Sequence, residues 1–234
     1  PADFTFVCPT ELGDMADLLS DTSTADTEIP ILTSRLVLAQ TIQNLRLDIS
    51  VDPSYLPVVG RNWARYIAPD EGLSPPPMNF LSGFPWGGEV LQIQSLEIPV
   101  AYYNNKLKLI AGENGKFTLL DPDKNPVLEG EVGKPAETKI GHETLRIFVS
   151  DLQARPGITF KVYKFDVLTA LKNLTDNLKA AETAKSSGII SVSYSDYDPV
   201  LAVRIVSEMA NLYLRQNVER KSADAQQTLS FLDK

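Results

Sequence analysis

Residues 198–234 read DPVLAVRIVSEMANLYLRQNVERKSADAQQTLSFLDK, a run with no glycine and with proline only at position 199. Asp198 is a residue type that caps helix N-termini through its side-chain oxygen. Pro199 suits the first helical position, where an N–H would be unsatisfied in any case. Leu201, Ile205, Met209 and Leu212 then recur at steps of three and four, the spacing of one helical face. At 1.5 Å per residue the predicted helix is about 50 Å long, more than a small domain is wide. After Val218 the run is polar apart from Ala223, Ala225, Leu229, Phe231 and Leu232. Such a helix is expected to project, its thin apolar seam seeking another helix or another subunit. The pattern stops in mid-repeat, as a piece of a longer protein would.

Upstream, Ile190, Val192 and Tyr194 alternate with serine in SGIISVSYS, which predicts a strand. Before it, DVLTALKNLTDNLKAAET predicts a helix with Leu168, Leu171, Leu174 and Leu178 on one face. Near the start, TADTEIPILTSRLVLAQTIQNLRLDI predicts one further helix. Asp26 or Thr27 caps it, Glu28 complements the dipole, and Pro30 is tolerated in the first turn. Its apolar face is Ile29, Leu32, Leu36, Ala39 and Ile42.

Between these helical parts the periodicity changes. GLSPPPMNFLSGFPWGG excludes regular structure and reads as a linker. From about Glu89 to Tyr163 short alternating runs are separated by turn residues. KLKLIAG and KFTLL flank GENG, a hairpin signal centred on Asn114-Gly115. TLRIFVS and ITFKVYKF continue the series. The fold class expected is therefore α+β. A mixed α/β base (14–82 and 164–234) carries a β-rich insertion at 83–163, a small antiparallel sandwich or barrel, and the long projecting C-terminal helix.

Composition narrows the function. The 234 residues carry a net charge of −8, and neither nucleic acid nor an anionic lipid surface suits such a chain. No run of 18 apolar residues offers a membrane span. The single cysteine forbids an intrachain disulfide.

That cysteine sits in PADFTFVCPTEL, where Pro1, Thr5 and Cys8 resemble the active-site signature of the peroxiredoxins. The resemblance implies a thiol peroxidase using Cys8, with the Thr hydroxyl and a distant Arg holding a thiolate. Against it, no Lys or Arg precedes Arg35, and no second cysteine exists to resolve an oxidised one. Residues 1–13 are thus expected to be a foreign or disordered segment, with the peroxidase kept as an alternative.

Three stretches carry a broader likeness: TEIPILTSRLVLAQTIQNLRLDISV, LQARPGITFKVYKF and NVERKSADAQQTLSFL. In order and spacing they resemble the periplasmic, Wzz-type chain-length-determinant region of Wzc-like polysaccharide co-polymerases, from about Gly13 to Lys234. The resemblance implies an α+β base beside the bacterial inner membrane, a β-rich insertion and a long helix. It implies ring-like homo-oligomers that regulate the length and export of exopolysaccharide or capsule chains. The implied partners are other copies of the chain, a polysaccharide polymerase, export proteins and the polysaccharide itself. Full-length members also carry two membrane helices and a cytoplasmic tyrosine autokinase, so this chain is expected to be an excised periplasmic piece.

No chemistry is expected of the piece itself: no catalytic, cofactor-binding or metal-binding residue, and no cofactor. In IAGENGKF, Ile110 and Phe117 stand where a phosphate-binding loop needs Gly and Ser/Thr. His142 is the only histidine, too few for zinc and without a nucleophile elbow for a triad. Asp121 and Asp123 lie in a Pro-rich turn and read as solvated. Trp63, Trp86, Tyr102 and Tyr103 are candidates for stacking on sugars, with Arg61 and Arg65 beside Trp63 for an acidic polymer, although core packing and loop anchoring explain these residues better. A sugar-binding module is thus the other alternative. Asn173 begins an Asn-Leu-Thr sequon inside a predicted helix and is set aside.

Overall fold

The computed structural model describes residues 2–9, 25–55, 73–74, 83–183 and 189–232. In chain order its elements are β1 (Ala2–Pro9), α1 (Ala25–Leu32), α2 (Arg35–Leu45), β2 (Ile49–Pro53), β3 (Val90–Glu97), β4 (Leu107–Ala111), β5 (Lys116–Leu120) and β6 (Pro126–Glu131). There follow β7 (Pro135–Ile140), β8 (Glu143–Gln153), β9 (Thr159–Lys164), α3 (Val167–Asp176), β10 (Leu178–Glu182), β11 (Ile189–Asp196) and α4 (Pro199–Leu232). They form two compact units, Asp48–Asp166 and the remainder, Pro1–Leu47 with Val167–Lys234.

The unit Asp48–Asp166 is an antiparallel β-sandwich. One sheet has the order β2-β9-β4-β5-β6 and the other β3-β8-β7. Strict alternation puts Leu107 and Leu109 of β4, Phe117 and Leu119 of β5, and Phe160 and Val162 of β9 inside. Leu145, Ile147 and Val149 of β8 meet them in the same core. Each such side chain contributes about 1.5–3 kcal/mol on leaving water. The predicted GENG hairpin joins β4 to β5 with Asn114 at φ 54° and Gly115 at φ 74°, the left-handed pair this turn demands. Gly130 of β6 meets a different need. A Cβ there would lie 2.4 Å from Phe117 Cζ, so the aromatic ring occupies the space that any side chain would take.

The expected insertion at 83–163 and the observed unit differ at both ends. Ile49–Pro53 is paired with Phe160–Lys164 as the sheet's edge strand, which draws the boundary back to residue 48. Residues 56–72 and 75–82, including Trp63, Arg61 and Arg65, lie outside the described residues.

In the other unit β1, β11 and β10 form an antiparallel sheet with β11 in the centre. Residues 2–9, expected as a foreign or disordered segment, form β1 and pair with β11 from Ala2↔Asp196 to Pro9↔Ile189. Residues 10–13 lie outside the described residues. The single helix expected at 24–49 is two helices. Ser34 interrupts it with extended backbone and caps α2, its Oγ accepting from the Val37 N–H. The break resets the helical phase. Val37, Leu38, Thr41 and Ile42 are buried, whereas Leu36, placed on the apolar face by the unbroken register, is exposed. Similarly, the helix expected through 183 ends at Asp176. Leu178, assigned to its apolar stripe, instead opens β10 opposite Tyr194. Leu168 of that stripe is exposed, and Ala170 and Leu174 carry the buried side of α3.

Helix α4 begins as its sequence predicts. Asp198 Oδ1 accepts from the N–H groups of Val200 and Leu201 at 2.9 and 3.3 Å. Ala202, Ile205, Val206, Met209, Ala210, Leu212 and Tyr213 are buried. Through them α4 packs against α2, β1 and β11.

Candidate interaction surface

The face of α4 opposite its packed side is apolar and open. Val200 and Val218 are 66% and 65% exposed, Val203 and Leu214 42% and 44%. At 100° per residue these four fall within one narrow stripe, together with exposed Ser207 and Asn211 between them. A helix with apolar residues on both sides has one face for its own unit and one left over.

Among the described residues, three side-chain hydrogen bonds with α1 and α2 hold this helix in place. Buried Glu28 of α1 accepts from Tyr213 Oη at 2.9 Å and from Arg220 Nη2 at 3.2 Å. Asn44 Nδ2 of α2 donates to Glu208 Oε1 at 2.7 Å. Beyond these, Ser222, Ala223, Ala225 and Gln226 are exposed. The sequence marked Glu28 only as a partner of the helix dipole. Its contacts with residues far along the chain had no local signal.

The sandwich has a buried clamp that the sequence did not reveal either. The Glu89 side chain, fully buried, accepts from the N–H groups of Trp86 and Gly87 at 2.9 and 2.7 Å. Arg155 donates to Glu89 Oε1 at 3.1 Å and to the carbonyl oxygens of Ser74 and Phe84. Arg155 lies in the stretch LQARPGITFKVYKF, but its partners are supplied by a loop far upstream.

The remaining candidates are scattered. His142 is exposed in the β7–β8 turn beside Gly141. Asp121 is buried, contrary to the solvated reading. Its carboxylate accepts from the Asn125 N–H at 2.8 Å and from Asn125 Nδ2 at 3.1 Å, closing the β5–β6 turn. Asp123 is exposed. Trp86 is buried, and Tyr102 and Tyr103 are half-buried against the sandwich core, so these rings are packing residues first. Burial and then the nearby Asp121 and Asp123 raise the Tyr102 hydroxyl above the usual tyrosine range. Asn173 is exposed on α3. Among the described residues no group of three His, Cys, Asp or Glu could hold a metal ion. Nor is any helix among them long and apolar enough to cross a membrane.

The chain folds as a β-sandwich unit and an α/β unit whose long helix carries exposed Val200, Val203, Leu214 and Val218. The chain belongs to the family described as the N-terminal domain of the tyrosine-protein kinase Wzc, whose model matches residues 49–165. That match coincides closely with the sandwich unit. Similarity to individual relatives runs through both units. The chain is 36% identical over 222 residues to EpsB of Ralstonia solanacearum, covering 95% of this chain and 29% of that protein. It is 30% identical over 225 residues to the tyrosine-protein kinase etk of Escherichia coli (strain K12), covering 95% and 28%. It is 28% identical over 210 residues to the tyrosine-protein kinase wzc of Salmonella typhimurium, covering 90% and 26%. The chain thus spans under a third of the length of these relatives.

The peroxidase alternative is not favoured. Cys8 lies in a β-strand between two other strand residues, not at a helix N-terminus, where amide dipoles lower a thiol's pKa. The family model matches residues 49–165 instead, and the similarity to EpsB and etk runs over 95% of the chain.

Proposed function

We propose that this chain is the periplasmic part of an inner-membrane polysaccharide co-polymerase of the tyrosine-autokinase kind. It regulates the chain length and export of exopolysaccharide or capsule as an oligomeric scaffold. Its partners are further copies of itself, the polysaccharide polymerase and export proteins. The segment makes and breaks no bond. It needs no cofactor, and kinase chemistry belongs to other parts of the full-length protein.

The observation that carries this reading is the family membership of the sandwich, joined in one chain to the open apolar stripe of α4. Burying Val200, Val203, Leu214 and Val218 between neighbours would remove apolar surface from water at each interface, the ordinary driving force of association. The test uses the full-length protein in a bacterium lacking its own co-polymerase. Val203→Asp with Leu214→Asp is expected to abolish long polysaccharide chains while the protein still reaches the membrane. An unchanged chain-length distribution would remove the scaffold reading.

A further inference from the structure

The turn between β4 and β5 is built on Asn114-Gly115, the one Asn-Gly pair in the chain. Each of the other ten asparagines is followed by a residue with a side chain. Lys116 N–H donates to the Glu113 carbonyl oxygen at 3.1 Å and closes the turn across this pair. Both central residues have positive φ, which is why this pair suits the position. Asn114 is exposed. Among the described residues its side chain and the Gly115 N–H make no hydrogen bond.

A carboxamide and an unengaged main-chain nitrogen thus stand side by side at an open turn. Gly115 has no Cβ to crowd the approach of its nitrogen to the Asn114 side-chain carbonyl carbon. When that nitrogen attacks, a C–N bond forms and a succinimide ring closes. The Gly115 amide proton and the Asn114 side-chain nitrogen leave together as ammonia. Water then adds to one ring carbonyl, and the C–N bond of that carbonyl breaks. Opening on the side-chain side restores the main chain and leaves aspartate. Opening on the main-chain side leaves isoaspartate, whose main chain runs through the side-chain carbon. One water is consumed, one ammonia is released, and nothing is oxidised or reduced.

We propose that Asn114 is a self-modifying site of the sandwich, losing ammonia to become aspartate and isoaspartate. The succinimide ring fixes the Asn114 backbone outside the left-handed range of the turn. Closure therefore proceeds from a locally opened hairpin and is slower in the folded chain than in a free peptide. The two products differ in their effect. Asp-Gly serves this turn as Asn-Gly does, so aspartate only adds a negative charge beside Glu113. Isoaspartate adds a methylene to the main chain between Glu113 and Gly115, whose carbonyl oxygens accept from Lys116 N–H and Val132 N–H at 3.1 and 2.9 Å. The lengthened turn does not hold both bonds. The strain falls on β5, where Phe117 is buried against Gly130.

The intact folded protein is aged for weeks in mildly alkaline buffer at body temperature, digested, and mapped by mass spectrometry. A synthetic peptide of residues 110–119, aged alongside, gives the rate of the unconstrained pair. The fragment containing Asn114 is expected to gain the mass difference between OH and NH2 and to become a substrate for an isoaspartyl methyltransferase. The ten other asparagines are expected to lag several-fold behind. The isoaspartyl fraction, separated by chromatography, is expected to unfold at a lower urea midpoint than fresh protein, whereas Asn114→Asp keeps the parent's midpoint. Asn114 left intact in the folded chain after the free peptide has reacted completely overturns the proposal. Faster ammonia loss from any other asparagine overturns it as well. An isoaspartyl fraction with the parent's midpoint overturns the strain assigned to the hairpin.

Discussion

Tyr213 Oη donates to Glu28 Oε2 at 2.9 Å, tying the middle of α4 to α1 across 185 positions of sequence. Arg220 Nη2 takes the other carboxylate oxygen at 3.2 Å, one and a half to two turns further along α4. Glu28 is thus bound on both oxygens and fixes the rotation of α4, which decides which of its faces stays open. Tyr213→Phe keeps the ring's packing but strips one buried oxygen of its donor. A loss of about 1–3 kcal/mol is expected in urea unfolding. Tyr213→Phe combined with Glu28→Gln should cost less than the sum of the two single changes. Strict additivity in that double-mutant cycle would show the pair to be uncoupled.

Arg155 and Glu89 form the corresponding clamp in the sandwich. Arg155→Met leaves a carboxylate with no exposed side-chain surface and no cation. A loss of about 3–5 kcal/mol is expected, the scale for breaking one side of a buried pair. Arg155→Met with Glu89→Gln should recover a good part of it. A thermal transition unchanged by Arg155→Met would contradict the role.

Gly130→Ala is expected to destabilise the sandwich by about 1–3 kcal/mol through overpacking against Phe117. Adding Phe117→Leu should make the alanine easier to accept, which calorimetry of the single and double variants would reveal. Equal melting temperatures for Gly130→Ala and the parent would show that the ring moves freely.

The Tyr194 hydroxyl is pushed from 10.0 to about 12, first by burial and then by Asp196. The folded state therefore holds this proton more tightly than the unfolded chain does. The associated stability is complete below about pH 10 and is lost as pH rises from there through about 12. Unfolding measured at pH 9 and pH 11.5 should show a larger alkaline loss for the parent than for Tyr194→Phe. Identical losses would mean that Tyr194 ionises as an exposed tyrosine does.

The sequence by itself determined the elements whose signals are local. Asp198-Pro199 starts α4 because an aspartate cap and a proline without an N–H serve the first turn directly. Asn114-Gly115 turns β4 into β5 because both positions need positive φ. The alternation of β4, β5, β8 and β9 marked a small antiparallel sandwich or barrel because period two fits a strand with one buried face, and the packing of two sheets decided for the sandwich. The family likeness, resting on segments such as ARPG and NVERKSA, was legible in the same way.

Tertiary structure decided what local pattern leaves open. Leu178 fits a helical stripe or a strand equally well, and β11 settled the matter by offering it a ladder. Ser34 ends one helix and starts another because its hydroxyl caps α2, which moved Leu36 out of the core. Glu28, Glu89 and Asp121 look like surface carboxylates in sequence. Glu28 and Glu89 are buried because the distant donors Tyr213 and Arg220, and Arg155, reach them only once the chain has folded, and Asp121 because Asn125 closes the turn around it. A buried charge is tolerable only with its partners in place, and sequence spacing alone does not show where those partners will be.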